Sequence, residues 1–242
     1  MVSGCLYSIG VGPGDPELMT LKAVHTISKC PVLVLPAESR QKCVAYQIAR
    51  QILPEIDEKE AVCLVMPMTK NKEKLERNHE EGAVKVAQIL EEGRDAAFLT
   101  IGDPTVYATS MYIHQRVAQM GYQTQIISGV PSFCAAAAKL GVSLGEKQEQ
   151  IHIIPASYDI EMAMQLSGTK ILMKAGKKMP FVKQCVKKHQ GWAAMVENCG
   201  METERVFRSA EEIDEDIDNV NTYDEDLNDD FISNGSVEDT EV

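Results

Sequence analysis

Aromatic residues are scarce in this sequence, at 5% of 242 residues. The interior must therefore be filled by aliphatic side chains and by methionine, a flexible gap-filler. Long hydrophobic runs are missing as well. No stretch approaches the ~20 apolar residues of a membrane span, and no basic segment followed by an apolar one opens the chain, so we expect a cytoplasmic protein with no membrane partner. The seven cysteines (Cys5, Cys30, Cys43, Cys63, Cys134, Cys185 and Cys199) include no CxxC pair, and no HExxH accompanies them. That spacing argues against a zinc centre or a disulfide framework and for cysteines buried as small apolar residues. Basic residues are absent from 211–242, which hold fourteen Asp and Glu. The net charge of −12 thus belongs to the C-terminal end, and residues 1–210 carry 24 basic against 22 acidic side chains. A nearly neutral body gives no footprint for nucleic acid. The one basic cluster, Lys174, Lys177, Lys178, Lys183, Lys187 and Lys188, reads as a solvated helix face.

What is present is an alternation of apolar strands and amphipathic helices. "CLYSIGV", "PVLVLPA", "AVCLVMPM", "DAAFLTI" and "YQTQIIS" read as buried strands. Helical periodicity follows each: Leu18, Leu21, Val24 and Ile27 after the first, then 38–53, 71–92, the stretch "YATSMYIHQRVAQMG", and a helix from Ser132 to Gly141. Asp15, with Pro16 after it, has the chemistry of a helix N-cap, and Ser132 has it again. The alternation predicts an α/β fold with functional loops at the C-terminal ends of the strands. Composition changes in "VSLGEKQEQ", so we divide the chain into a domain over 1–149 and a smaller α/β domain over 150–212. In the second domain we expect strands "IHIIPA", "TKILMKA" and "GWAAMVEN", helices at 158–167 and 180–190, and a short amphipathic piece near 204–212. Residues 213–242 have the low hydrophobicity and dense like charge of a disordered tail, although "DDFIS" alone has the pattern of an edge strand.

The loop "SIGVGPGDPELMT" raises the question of phosphate binding. A dinucleotide fingerprint needs its third glycine at position 15, where Asp15 stands, and a Walker loop needs a lysine that is missing. Glu38, after the second strand, suits a ribose no better than it suits solvent. Phosphate is disfavoured, and a nicotinamide oxidoreductase with it. Three strand-end loops share a different character: "GVGPGDP" (10–16), "IGDPTVY" (101–107) and "SGVPSF" (128–133) combine Gly, Pro, Asp and Ser with no basic side chain. Any one of them is an ordinary turn with an aspartate capping the next helix. Together they suit a cationic or zwitterionic nucleoside, with Asp103 for hydrogen bonding and Val106 or Phe133 for packing on a ring.

These motifs resemble those of the tetrapyrrole (corrin/porphyrin) methylases. "YSIGVGPGDPELMTLKAV" is similar to the family's first motif, and "FLTIGDPTVYATSMYIH" to its Gly-Asp-Pro motif in the form typical of enzymes that methylate carbon 20. "MPMTKNKEKLERNHEEGA" is similar to a stretch peculiar to those enzymes, and "ISGVPSFCAAAAKLGVSLGEKQEQIHIIPA" to the family's domain junction. The similarity spans residues 4 to 208.

The resemblance implies two α/β domains with a cleft for S-adenosylmethionine between them, usually in a homodimer. By motif position, Pro13 lines the cleft, Gly102, Asp103 and Val106 contact the cofactor, and Ser132, Phe133, Met173 and Cys199 follow; Met173 and Phe133 could equally be core. The implied reaction is methyl transfer to the meso carbon 20 of precorrin-2 or cobalt-factor II, with no metal site in the chain. No catalytic base is assigned; Tyr107 and His114 lie near the right loop. Arg116 and Lys139 are candidate donors to the substrate's carboxylates. The chain departs from the family at its end, where acidic sequence replaces a short apolar strand. That departure keeps two alternatives open: a methylase for another tetrapyrrole carbon, and a catalytically weakened tetrapyrrole-binding protein.

Overall fold

The structure is a computed structural model and describes residues 3–67, 69, 71–155, 158–174, 178–188, 191–213 and 229–235. It forms two compact units, Met1–Pro131 and Ser132–Val242.

The first unit is built on a five-stranded sheet in the order β3-β2-β4-β1-β5. Its strands are β1 (Cys5–Gly10), β2 (Val32–Leu35), β3 (Glu60–Cys63), β4 (Ala96–Thr100) and β5 (Gln123–Ile127), all parallel. Strands β2 and β4 are buried along their whole length, as a sheet covered on both faces requires. Helices α1 (Leu21–Lys29), α2 (Val44–Arg50), α3 (Lys72–Glu91) and α4 (Ser110–Gln119) make the crossovers. Ala83, Val86 and Leu90 of α3 join Ile113 and Val117 of α4 over Leu6, Val34 and Phe98 in one core. From β1 the chain moves one way along the sheet to β2, and from β4 the other way to β5. Right-handed crossovers then put the helices that follow on opposite faces, and the loops after β1 and β4 part at a topological switch point.

Local chemistry sets the helix starts. Asn71 caps α3 through Lys74 N at 3.0 Å. Asp15 caps only a single 3-10 turn, Pro16–Leu18, accepting from Glu17 N at 2.9 Å. Helix α1 begins later, at Leu21, with Thr20 as its cap. Leu21 is consequently exposed, and Ala23 and Ile27 supply the buried face.

The second unit holds α5 (Ser132–Leu140), β6 (Ile151–Pro155), α6 (Ile160–Met164), β7 (Gly168–Met173), α7 (Met179–Lys188), β8 (Trp192–Glu197), β9 (Arg205–Phe207) and β10 (Asp229–Gly235). Helix α5 packs on β8 and β10, so it goes with this sheet although it precedes the compositional break near residue 149. The sheet order is β6-β7-β10-β8-β9. Strands β6 and β7 are parallel, β10 runs antiparallel to both of its neighbours, and β9 returns antiparallel to β8. The amphipathic piece expected near 204–212 is therefore in part a strand.

Strand β10 also corrects the expectation of disorder throughout 213–242 and of a second sheet without its last strand. Residues 229–235 pair in register with β7 (Ile232 opposite Ile171) and β8 (Ile232 opposite Ala194). "DDFIS" is thus a central strand and not an edge. Its charge density says nothing of the two backbone ladders available between β7 and β8, nor of Ile232, which is buried there. Residues 214–228 and 236–242 lie outside the described residues. Most cysteines are buried or half-buried as expected, but Cys134 is exposed.

Candidate functional site

The three glycine-bearing loops of the first unit meet at the C-terminal ends of β1, β4 and β5. Gly102 N donates to Gly12 O at 2.8 Å, and Gly12 N donates back to Gly102 O at 3.4 Å, bridging the loops after β1 and β4. Thr20 Oγ1 donates to Ser128 O at 3.3 Å, tying the loops after β1 and β5. The backbones come so close that only glycine fits. A Cβ on Gly129 would lie 2.1 Å from Gly102 O, and one on Gly10 would lie 2.4 Å from the same atom.

Asp103 holds this arrangement together. Its Oδ1 accepts from Thr105 N at 2.7 Å and Thr105 Oγ1 at 2.5 Å, and its Oδ2 accepts from Gly129 N at 3.0 Å. An ionised carboxylate has about four acceptor positions, so one remains for a ligand. Asp103 is buried at 8% exposure. It is thus first a staple between two loops, and Thr105, which sequence reasoning missed, is the residue that turns it. The Asp-x-Thr spacing is the local signal that would have found this.

Pro13 and Gly102 are buried in the same cluster and Val106 is half-buried beside them. Tyr107 is half-exposed in the left-handed region at φ 47°. His114 is not in the loops. It lies on α4 beneath them, with Nδ1 2.8 Å from Ser8 Oγ on β1, and burial pushes its pKa below the ordinary histidine range. Thr100 Oγ1 donates to Ser110 Oγ at 2.8 Å in a second buried link between sheet and α4. Arg116 and Lys139 are both engaged, Arg116 with Glu76 and Lys139 with Glu204 at 3.0 Å. Glu38 pairs with Lys42 at 2.5 Å on the surface.

In the second unit, Ser132 and Phe133 open α5 and are buried. Met173 ends β7 and Cys199 follows β8; both are buried. The residues next to them, Lys174 and Asn198, are left-handed at φ 58° and 51°. Sequence reasoning missed Asn198 as well. It is buried, its Nδ2 donates to Thr203 Oγ1 at 3.0 Å, and its Oδ1 is buried without a partner. An asparagine just after an apolar strand is the signal for such a left-handed turn. Among the described residues no group of three or more His, Cys, Asp and Glu is placed to hold a metal ion. No helix of the described residues is long and apolar enough to cross a membrane.

A parallel sheet whose glycine loops are clasped at its switch point is thus followed by a mixed α/β unit with left-handed residues just after β7 and β8, the architecture of a two-unit α/β protein. The chain belongs to the Tetrapyrrole (Corrin/Porphyrin) Methylases, whose pattern it matches over residues 5–214. It is 35% identical to a probable cobalt-precorrin-2 C(20)-methyltransferase of Methanocaldococcus jannaschii, over 70% of this chain and 71% of the relative. It is 28% identical to the cobalt-precorrin-2 C(20)-methyltransferase of Salmonella typhimurium, over 72% and 73%. Among solved structures, a cobalt precorrin-4 methyltransferase shares the fold with a TM-score of 0.72 at 18% identity, over 95% of this chain and 94% of that one. The uroporphyrin-III C-methyltransferase of Thermus thermophilus, complexed with S-adenosyl homocysteine, does so at 0.65 and 20% identity, over 96% and 92%.

Proposed function

We propose that this chain is an S-adenosylmethionine-dependent C-methyltransferase acting at carbon 20 of precorrin-2 or cobalt-factor II, in cobalamin biosynthesis. The observation that carries the reading is the 35% identity, over seven-tenths of both chains, to a relative named for that reaction. The site supports it. Three loops without a basic side chain suit a cationic sulfonium nucleoside better than a phosphate. The one acceptor position left on Asp103 suits a hydroxyl, and the buried, unpartnered Oδ1 of Asn198 suits an amine N–H.

The cofactor supplies a methyl group already activated by its sulfonium. The chain's part is to position it: the clasped glycine loops and the Asp103 staple hold a rigid backbone wall, and fixed geometry is where a reaction of this kind gains most of its rate. As cofactor contacts we propose Pro13, Gly102, Asp103 and Val106 in the first unit and Ser132, Phe133, Met173 and Cys199 in the second. No residue is assigned to take the proton that leaves carbon 20; Tyr107, exposed at the loop tip, and His114 are the candidates. His114 is committed to Ser8 beneath the sheet. Residence in the cytoplasm and a homodimer complete the proposal. The pairing of β10 with β7 and β8 favours the enzyme over a weakened binding protein.

Calorimetry with S-adenosyl homocysteine tests the cofactor, with binding expected; binding of NAD in its place would sink the reading. Turnover with precorrin-2 and cobalt-factor II tests the reaction, and a product methylated at another carbon would refute the assignment of carbon 20.

A further inference from the structure

The stretch from Asn71 to Ala83, at the start of α3, contains side chains that the methyl-transfer site does not use. Where α3 packs on α4, the imidazole of His79 lies parallel to the Tyr112 ring, with centroids 4.8 Å apart and planes at 9°. His79 is 5% exposed and Tyr112 53%, so the stacked pair runs from the core to the surface. His79 Nδ1 and the neighbouring Asn78 Oδ1 are both buried without a hydrogen-bond partner. Buried polar atoms of this kind are rare, and two on successive residues call for an explanation.

The surroundings say what would satisfy them. One turn beyond Tyr112, Arg116 is held by Glu76, lies 3.9 Å from Glu80, and donates to Tyr112 O at 3.0 Å. Its charge is therefore largely spent on the two glutamates, and the groups left to meet a ligand are the Tyr112 hydroxyl, the His79 nitrogen and the Asn78 amide. The neutral imidazole can carry its proton on Nδ1, and an amide turned over presents NH2 in place of oxygen. Each of the three is then a donor, which matches a carboxylate. Helix α4 adds to this. Its first turn has no side-chain cap; the N–H groups of Met111 and Tyr112 bond to Ala108 O and Thr109 O, so what it adds for an anion is the helix dipole alone. Tyr112 lies in that turn, directly after the loop that carries Asp103 and Tyr107.

We propose that Asn78, His79 and Tyr112 form a subsite for one peripheral carboxylate of an anionic tetrapyrrole. The inference rests on the proposed function and deepens it by naming substrate-contacting residues on the α3–α4 face.

The test uses the full chain and two probes: uroporphyrin III, followed by its fluorescence, and S-adenosyl homocysteine, followed by calorimetry. Tyr112→Phe removes only a hydroxyl on a half-exposed ring. His79→Phe keeps the stacked ring and removes the nitrogens. Each variant should weaken uroporphyrin binding about tenfold, the usual loss for a hydrogen bond to a charged group. The affinity for S-adenosyl homocysteine should not change. Binding of the uroporphyrin octamethyl ester, which has no carboxylate, should be indifferent to both substitutions. If His79→Phe disturbs the fold, Tyr112→Phe decides alone. Unchanged uroporphyrin affinity in Tyr112→Phe, with S-adenosyl homocysteine still bound, overturns the subsite and leaves the proposed function standing. Failure of the unaltered chain to bind either probe overturns both.

Discussion

The two units of this chain solve the same problem, five strands covered by helices, in opposite ways. The first uses parallel strands alone, joined by helical crossovers of which three of four pass over a strand, and it clasps its loops through glycine backbone. The second is a mixed sheet whose middle strand is contributed from far along the chain, from the most acidic segment of the sequence. The contrast teaches that strand position and strand composition are separable. The inner strands β2 and β4 of the parallel unit are apolar and wholly buried because helices cover both faces, while the edge strand β5 is largely exposed. An antiparallel insertion between β7 and β8 needs only a backbone to complete two ladders and a few apolar side chains, here Ile232, on the inner face.

The sharpest way to break this comparison is to remove β10. Truncation after residue 228 should abolish the second unit's cooperative unfolding, a loss exceeding about 5 kcal/mol, while the first unit still melts; calorimetry would resolve the two. An unchanged thermogram would show that the strand contributes nothing. The next effect belongs to the first unit. Gly129→Ala places a methyl group against Gly102 O, and should cost about 3 kcal/mol through the backbone shift it forces. Binding of S-adenosyl homocysteine should fall with it.

Asp103 sharpens the distinction between staple and ligand. Asp103→Ala removes the acceptor from three donors and should destabilise the first unit by about 2 kcal/mol. Asp103→Asn should be almost as harmful, because its NH2 would face Gly129 N–H. If the Asp103→Asn variant kept full stability and lost only cofactor affinity, the carboxylate would be a ligand first.

His114 gives a smaller, pH-dependent effect. Its folded-state pKa is lowered by burial, so the unfolded chain takes up a proton near pH ~6.5 that the folded chain refuses until lower pH. Stability therefore falls as pH drops below that point, and levels off once the folded form also protonates. Melting curves from neutral to mildly acid pH should show the slope, and His114→Gln should reduce it. The smallest effect is expected at Lys170 in β7, which is 2% exposed and opposite Ser233 of β10. Burial lowers its pKa, partly offset by Glu149. Lys170→Met should leave stability unchanged or raise it by about 1 kcal/mol, since it removes the cost of burying an amine.

Much of this is legible in the residues. The period of apolar residues marks every strand of the first unit, and the Gly-Pro-Asp composition of three loops marks where the backbones converge. Asp103 stands out in the sequence as the polar group of those loops. Its partner Gly129 does not, because a hydrogen bond between loops 26 residues apart leaves no local trace. His114 has the look of a base because it follows the right loop. Helical geometry instead turns it inward to Ser8, 106 residues away.

The sequence by itself determined the α/β class, the family and the glycine-bearing loops, since these depend on periodicity and on residues close together in the chain. Only the tertiary structure decided that an acidic segment would become the central strand of a sheet. It alone decided which polar atoms of the described residues would be left buried without partners, at Asn78, His79, Asn198 and Ser233. Both outcomes depend on what neighbouring elements offer, ladder bonds in the first case and none in the second, and no local pattern encodes a neighbour that arrives from elsewhere in the chain.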